Sequence, residues 1–314
     1  MPYTLRTATL EDAPAVTGLL NAIDVIEVGR PETDQHSVEA DLKHPEADLA
    51  RNSWLAFDGD RLVVYGLLWD ESEGERIDVD HYVLPEHQEV GLEVLAAMEA
   101  RALEKARANG AGRAVVHLNL NARPTLDPAS LTARGWSVVR RYHVLHRPLD
   151  AERDRAVVLP DGVRLRACVS EEDRRIVHSL HQTTFAEHFD FQPRTYEQWF
   201  NDIDGERVDW SLVWIVSAQT TGNTEGTGDA GFLIAGNNRP AMGWIRGIGV
   251  LREARGQGLA SLLLSHAFAA FAELGRDTVG LGVDTDNTTG APALYARHGM
   301  TVHFAVDTWE ITLT

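Results

Sequence analysis

The stretch Arg255-Gly-Gln-Gly-Leu-Ala260 decides how this chain folds, because it stands between a strand-like run, residues 245–250, and a helical run that begins at Ser261. A glycine-rich turn that joins a strand to a helix directs several free backbone N–H groups, and the positive end of the helix dipole, at one point. Gly256 and Gly258 allow the backbone to approach a ligand closely. The stretch therefore predicts an anion-binding loop.

A second pattern follows the loop at a fixed distance. Apolar residues recur at helical spacing over 259–274, Gly275 closes that helix, and residues 278–283 read as a buried strand. Asn287 follows the strand, and residues 294–300 read Leu-Tyr-Ala-Arg-His-Gly-Met. Two patterns in this order, roughly thirty to forty residues apart, are much more specific than either pattern alone.

These two patterns, Arg-x-x-Gly-x-Ala and Leu-Tyr-x-x-x-Gly-Met, resemble the Gcn5-related N-acetyltransferases (GNAT), whose loop grips the diphosphate of acetyl-coenzyme A. Across both halves the chain resembles the tandem acetyltransferases of actinobacteria, the group that includes mycothiol synthase. The resemblance implies an α/β (α+β) fold with two tandem acyl-CoA N-acyltransferase domains, each a mixed, mostly antiparallel sheet flanked by helices. It implies acetyl-CoA as the co-substrate.

The first half of the chain repeats the second in a weakened form. Residues 83–95 align without gaps to residues 250–262, and further matches keep an offset of about 160 to 167 positions. A chain of 314 residues also exceeds the size at which single cores usually stop growing. We therefore expect two domains, residues 1–150 and 151–314.

The N-terminal copy differs from the C-terminal copy at the positions that matter for binding. Glu89 and Glu93 stand where the C-terminal loop has a glycine and an alanine, and Leu131 replaces Tyr295. Carboxylates beside a diphosphate oppose its binding by like charge. We expect a degenerate, non-catalytic N-terminal domain, although weak binding of an acyl-CoA remains an alternative.

The resemblance also assigns residues to the donor site and a mechanism. An amine attacks the thioester carbonyl directly, a backbone N–H near Val250 polarises that carbonyl, and the phenol of Tyr295 gives a proton to the leaving thiolate. Packing alone is the other interpretation of Tyr295. The residues assigned to acetyl-CoA are Ile248, Gly249, Val250, Arg255, Gly256, Gln257, Gly258, Leu259, Ala260, Asn287 and Tyr295.

The general base is not identified by the sequence. Many family members carry a glutamate on the fourth strand, but residues 243–249 contain no carboxylate. Glu187, His188 and Asp284 are the candidates in the expected substrate cleft, and each could instead have a structural or substrate-contacting role. No metal is expected, because the histidines near position 180 lack a cysteine or carboxylate partner at ligand spacing.

Composition limits the remaining possibilities. The single cysteine, Cys168, excludes an intrachain disulfide and is expected to be buried; there is no run of 18 apolar residues, and the first residues lack the apolar core of a signal peptide. These features predict a cytoplasmic protein, monomeric or homodimeric, that does not bind membranes. A net charge of −18 argues against nucleic acid as a partner.

The predicted function is the transfer of an acetyl group from acetyl-CoA to a primary amine of a small molecule, carried out by the C-terminal domain. Aromatic and charged residues cluster over 185–200, which favours an amphipathic amine. The alternative is a non-catalytic protein that binds or senses acyl-CoA. The missing fourth-strand glutamate favours this alternative, whereas Asn287 and Tyr295 favour the enzyme.

Overall fold

A computed structural model describes residues 3–44, 47–70, 73–203, 205, 206, 208–219, 227–237, 241–287 and 289–314. The strands are β1 (Thr4–Arg6), β2 (Ser53–Asp58), β3 (Arg61–Trp69), β4 (Arg76–Val83), β5 (Ala114–Asn121), β6 (Ser137–Pro148), β7 (Arg164–Ala167), β8 (Val213–Gln219), β9 (Thr227–Gly236), β10 (Met242–Val250), β11 (Thr278–Asp284) and β12 (Thr301–Leu313). The helices are α1 (Ala13–Val28), α2 (Gln35–Lys43), α3 (Leu49–Asn52), α4 (Gln88–Ala108), α5 (Pro128–Ala133), α6 (Glu171–Phe185), α7 (Tyr196–Asp202), α8 (Leu259–Glu273) and α9 (Ala291–Arg297).

The chain divides into two compact units. Unit 1 comprises Met1–His143 together with Phe304–Thr314, and unit 2 comprises Val144–His303. The sequence placed the division at residue 150 and counted the last strand with the second copy. The structure differs because the last residues of β12 pair with β5 along Val306–Leu313 and Ala114–Asn121, inside unit 1.

Each unit has a mixed, mostly antiparallel sheet, as the sequence predicted. In unit 1 the strand order is β1-β2-β3-β4-β5, followed by the unit 1 residues of β12 and β6. In unit 2 the order from β6 is β11-β10-β9-β8-β7. One parallel pair lies in each sheet, β4 with β5 and β10 with β11, and the other registers that we describe are antiparallel.

The parallel pair of unit 2 separates part of the way along. β10 and β11 pair only from Met242↔Thr278 to Ile245↔Leu281, although β10 continues to Val250. The register between β10 and β9 shifts between Ile245 and Gly247, which is an irregularity of the bulge type. From this point the edge of β10 that faces β11 is open, with no strand pairing among the described residues.

Helix α8 packs on the sheet of unit 2 through the apolar face that the sequence predicted. Leu259, Leu263, Ala267 and Phe271 are all buried in one hydrophobic cluster with residues of β8, β9 and β10. Leu274, which was also expected on this face, lies after the end of the helix and is exposed. Helices α6 and α7 pack into a separate cluster with Cys168, whose buried thiol confirms the expectation.

No helix within the described part of the chain is long and apolar enough to cross a membrane.

Candidate active site

The loop 255–258 connects β10 to α8 in an exposed position. Gly256 and Gly258 adopt φ values of +80° and +77°, a region that residues with a side chain occupy only with strain. Gly258 is the N-cap of α8, and among the described residues, apart from each glycine's own chain neighbours, no atom lies within 4 Å of a Cβ built on either glycine. The glycines are therefore required by the backbone conformation, and space remains above them for a ligand.

The loop also presents unused hydrogen-bond donors. Within the described residues, the backbone N–H groups of 256–261 have no acceptor, and the first bond that enters α8 runs from Leu262 N to Gly258 O. Two side chains of the loop hold it in place. Arg255 Nε donates to Val250 O at 3.2 Å, and Gln257 Nε2 donates to Gln219 O at 3.0 Å. Together with the helix dipole, these N–H groups form an anion-binding site.

The end of β10 is in close contact with α6. A Cβ on Gly249 would lie 2.2 Å from Thr184 Oγ1 and 2.7 Å from a ring carbon of Phe232, so only glycine fits at this position. Ile248 and Val250, on either side of Gly249, are half-buried. These three residues form the part of β10 that extends beyond its pairing with β11, next to the loop.

Tyr295 lies on α9 and is 5% exposed. Burial raises the pKa of its phenol to about 12, so the phenol is protonated at neutral pH. Among the described residues the hydroxyl has no hydrogen-bond partner, and it is therefore available as a donor. Its ring packs in the same hydrophobic cluster as α8.

Asn287 follows β11 in a turn. Its backbone N–H donates to Asp284 O at 3.2 Å, and its side-chain Oδ1 accepts from Thr289 N at 2.8 Å. The bond from Thr289 N, together with one from Thr289 Oγ1 to the same oxygen, fixes the orientation of the carboxamide. The Nδ2 group has no acceptor within the described residues, which leaves it free to donate to a ligand.

The three candidates for the general base have different surroundings. The burial of His188 lowers the pKa of its imidazole, and the charge of Asp284 acts in the opposite direction, with smaller effects from Arg255 and Glu187. His188 is thus within electrostatic range of both the end of β11 and the anion-binding loop. Glu187 is instead exposed and forms an ion pair with Arg252.

The neighbouring histidines have structural partners. His178 Nε2 lies 2.9 Å from Arg194 O, and the ring of His181 stacks on Phe185 with centroids 4.4 Å apart. Burial lowers the pKa of His181 to about 4. Across the described residues there is no group of three or more histidine, cysteine, aspartate or glutamate side chains that could hold a metal ion.

The equivalent region of unit 1 has lost the loop itself. Helix α4 begins at Gln88, the position that matches Arg255, so Glu89 and Gly91 lie inside the helix. A Cβ on Gly91 would meet Val83 Cγ2 at 2.7 Å, which shows how closely α4 packs on β4. The sequence alignment drew attention to the two carboxylates but missed the extra helical turn; the missing glycine at position 89 was the available signal.

Comparisons with known proteins agree with this geometry. Residues 175–300 match the family model for the acetyltransferase (GNAT) family. The mycothiol acetyltransferase of Kocuria rhizophila is 28% identical over 78% of this chain and 79% of its own length, and that of Streptomyces avermitilis is 27% identical over 96% and 92%. That of Pseudarthrobacter chlorophenolicus is 30% identical, but the match covers 55% of this chain and about half, 53%, of the relative.

Solved structures share the fold over nearly the whole chain. A GCN5-related N-acetyltransferase from Sphaerobacter thermophilus superimposes with a TM-score of 0.80 at 24% identity, covering 99% of this chain and 95% of the other. A tandem GNAT protein from the clavulanic acid biosynthesis pathway gives a TM-score of 0.70 at 18% identity, covering 99% and 98%. At these identities the likeness concerns the fold, including its two copies.

Proposed function

We propose that unit 2 transfers the acetyl group of acetyl-CoA directly to a primary amine of a small molecule, a proposal supported by the match to the GNAT family model and by the similarity to mycothiol acetyltransferases and to a tandem GNAT protein. The observation that carries this proposal is the loop 255–258. It combines two positive-φ glycines, unpaired N–H groups and the start of α8 beside the open edge of β10.

In this proposal the diphosphate of acetyl-CoA binds at the loop. The remainder of the donor extends along the open edge of β10, where Val250 presents a backbone N–H that β11 does not use. A backbone N–H at this edge polarises the thioester carbonyl, since a fixed dipole stabilises the negative charge that develops on the oxygen. Asn287 Nδ2 supplies a further donor.

Tyr295 supports the departure of the thiolate. Its pKa of about 12 exceeds that of an ordinary thiol, near 8.5, so complete proton transfer from the phenol to the sulfur is uphill. The phenol acts mainly as a hydrogen-bond donor that stabilises negative charge on the sulfur. The proton that reaches the thiolate comes from the positively charged nitrogen of the tetrahedral intermediate, after the amine has attacked, either directly or through Tyr295.

We assign the general base to His188. A pKa lowered by burial keeps its imidazole neutral at neutral pH, and a neutral imidazole can take a proton from the substrate's ammonium group, which frees the lone pair of the amine for attack. Asp284 stabilises the imidazolium that forms, because its charge raises the pKa of His188. Glu187 has a different role, since its carboxylate holds Arg252 at the surface.

The relatives and the chemistry of unit 2 support a small polar amine as the proposed acceptor. The curated relatives are named as mycothiol acetyltransferases, which favours a small polar amine over a protein substrate. In this chain the rings of Phe185 and His188 lie next to each other, with centroids 4.3 Å apart, so the same region offers both an apolar surface and a base. Unit 1, which has no anion-binding loop, is proposed to be non-catalytic.

A screen of small primary amines with acetyl-CoA tests the proposal, with free thiol release as the measurement. We expect amine-dependent release that is abolished by Gly258→Glu. The missing carboxylate on β10 favours a second candidate, a non-catalytic acyl-CoA binding or sensing protein. Acetyl-CoA binding by calorimetry without thiol release from any amine would favour that candidate and would contradict catalysis.

A further inference from the structure

Unit 2 contains a strongly basic cavity that is lined by none of the residues assigned to the acetyl-CoA site or to catalysis. It has a volume of about 240 Å³ and lies between α8, the end of α9 and the segment that follows β6. Four arginines line it, together with His298, and the only carboxylate among the lining residues is Asp154; the arginines are Arg147, Arg153, Arg155 and Arg297. We call this cavity the arginine pocket. Such a concentration of positive charge is unexpected on a chain of net charge −18.

Arg147 is the most buried of the four arginines. Its Nη2 group donates to Asp154 Oδ1 at 2.7 Å, and its guanidinium carbon lies 4.6 Å from the centroid of the Phe268 ring. Its Nη1 group is buried and has no hydrogen-bond partner in the part of the chain that the structure describes. A buried guanidinium donor without an acceptor is costly, so this atom favours an acceptor that enters the pocket.

The other charges are only partly compensated. Arg153 pairs with Asp150 at 2.9 Å, whereas Arg155 and Arg297 are exposed and have no ion pair within the described residues. The pKa of His298 is lowered by burial and then by the charges of Arg147 and Arg297. The electrostatic potential in the pocket is therefore positive, and the neutral imidazole of His298 does not contribute to it at neutral pH.

The chemistry of the pocket matches a phosphate monoester. Guanidinium groups bind phosphate oxygens through paired N–H donors, and a monoester carries a charge of about −1.5 to −2 at pH 7. Pockets for whole drug-sized ligands usually span roughly 300–1,000 Å³. A volume of about 240 Å³ suits one phosphoryl group with part of its attached molecule.

The pocket is linked to the anion-binding loop through α8. Ser261, in the first turn of α8, has its Oγ 2.7 Å from His298 Nε2, and Ser265 lines the pocket one turn further on. Ser265 is six positions after Leu259 along the helix, a rise of about 9 Å at 1.5 Å per residue. One nucleotide that carries two phosphate positions could reach both sites.

We propose that the arginine pocket binds a phosphate monoester. One source is the 3′-phosphate on the ribose of coenzyme A, which is separated from the diphosphate by that ribose; this source rests on the proposed function. The other source is free phosphate, which would occupy the same guanidinium donors without the loop. Both sources require Arg155 and Arg297 to compensate the charge together with Arg147.

The test compares acetyl-CoA with 3′-dephospho-acetyl-CoA, and inorganic phosphate with chloride at equal ionic strength. Affinities are measured by calorimetry on the full chain. The variant is Arg155→Gln with Arg297→Gln, which leaves the buried Arg147 and its contacts in place. The matched control is Arg51→Gln with Arg164→Gln, which removes the same charge from two exposed arginines outside the pocket.

If the 3′-phosphate is the source, we expect wild type and control to bind acetyl-CoA at least about tenfold more tightly than 3′-dephospho-acetyl-CoA. The pocket variant should lose this preference, while its affinity for 3′-dephospho-acetyl-CoA stays unchanged. If free phosphate is the source, acetyl-CoA and 3′-dephospho-acetyl-CoA should bind with equal affinity, and the pocket variant should lose the binding of inorganic phosphate. The proposal would be overturned if acetyl-CoA and 3′-dephospho-acetyl-CoA bind equally and, in addition, inorganic phosphate either does not bind to wild type or binds to the pocket variant as it does to wild type. If no acetyl-CoA binds at all, the proposed function fails, and the phosphate measurement alone decides on the pocket.

Discussion

His81 Nε2 lies 2.8 Å from the carbonyl oxygen of Gly91 in unit 1, which places a buried imidazole between β4 and the first turn of α4. The nitrogen donates this bond, since a carbonyl oxygen only accepts. Nδ1 is buried and has no hydrogen-bond partner among the residues that the structure describes. In the alignment Gly91 matches Gly258 of unit 2. Where unit 2 has the anion-binding loop, unit 1 therefore has a turn of α4, and His81 binds the carbonyl of that turn.

This relationship makes unit 1 sensitive to acid. Burial lowers the pKa of His81 to about 4, below its ordinary value near 6.5. Between pH 6.5 and pH 4 the imidazole of His81 is protonated in the unfolded chain but stays neutral in the folded chain. Protonation therefore favours the unfolded chain, so the free energy of unfolding is highest above pH 6.5 and falls as the pH drops toward 4. The loss approaches about 1.4 kcal/mol per pH unit, or about 3 kcal/mol in total.

The measurement is hydrogen exchange of the amides in β4 and α4 at several pH values, corrected for intrinsic rates. His81→Gln keeps a donor for Gly91 O but does not titrate, and we expect it to remove this part of the pH dependence. His36→Gln on the exposed face of α2 is the control and should behave as wild type. An identical pH dependence in wild type and His81→Gln would contradict the prediction.

The loop of unit 2 is expected to bind one acetyl-CoA per chain. Gly258→Glu adds a carboxylate beside the diphosphate, and like charges about 4 Å apart repel by about 4 kcal/mol at an effective dielectric constant of 20. We expect a loss of affinity of at least about 100-fold by calorimetry. Gly258→Ala introduces the same positive-φ strain without the charge, so it should retain measurable binding. Two bound molecules per chain, or undiminished affinity in Gly258→Glu, would contradict the assignment.

Tyr295→Phe removes only the hydroxyl. Its ring still fills the buried site on α9, so we expect little change in donor affinity and a fall in kcat of about 100-fold or more. Tyr295→Leu, which copies Leu131 of unit 1, should lose activity and also stability because it leaves a cavity. Full activity of Tyr295→Phe, with chemistry shown to be rate-limiting, would assign Tyr295 to packing alone.

The pH profile of kcat/KM separates the candidate bases. If His188 accepts the proton, the rate falls as the pH drops below its lowered pKa, and His188→Gln loses most of the rate together with this acidic limb. Asp284→Asn removes a charge that raises the pKa of His188, so the limb should move to lower pH. Glu187→Gln should change the rate by less than about threefold. A Glu187→Gln variant without activity would transfer the role to that carboxylate.

The sequence was sufficient for features that depend on local pattern. The loop 255–258, the buried face of α8 and the short helix with Tyr295 all combine glycine positions with a hydrophobic period, and each formed close to its predicted position, although α8 begins at Leu259 and leaves Leu274 exposed after its end. The arginine pocket was not predictable, because Arg147, Arg155 and Arg297 are distant along the chain or lie in different elements, and only the tertiary fold brings them together.

The extra turn of α4 is an intermediate case. Helix propensity alone does not decide whether residues 88–91 continue a helix or form a loop, and here the close packing of Gly91 against Val83 favours the helix. The division between the units was also beyond local pattern. It depends on the pairing of β12 with β5, two segments almost 200 residues apart.

This pairing leads to a prediction about fragments. Val306–Leu313 of β12 pair with β5, and Trp309 and Ile311 are buried in the core of unit 1. A fragment 144–314 would therefore expose two large apolar side chains and an unpaired strand, which is a template for aggregation. We expect this fragment to aggregate, and fragment 144–303, which ends before the exposed segment, to be recovered in larger soluble yield.

Size-exclusion chromatography and soluble yield of the two fragments, expressed in parallel, provide the measurement. Unit 1 alone, residues 1–143, lacks the strand that covers β5 and should also aggregate, whereas 1–143 mixed with a peptide of residues 304–314 should be partly rescued. A peptide with Trp309→Ala and Ile311→Ala is the control and should not rescue, because it keeps the strand but removes the buried side chains. A monomeric, soluble 144–314 fragment with the yield of 144–303 would show that β12 does not depend on unit 1.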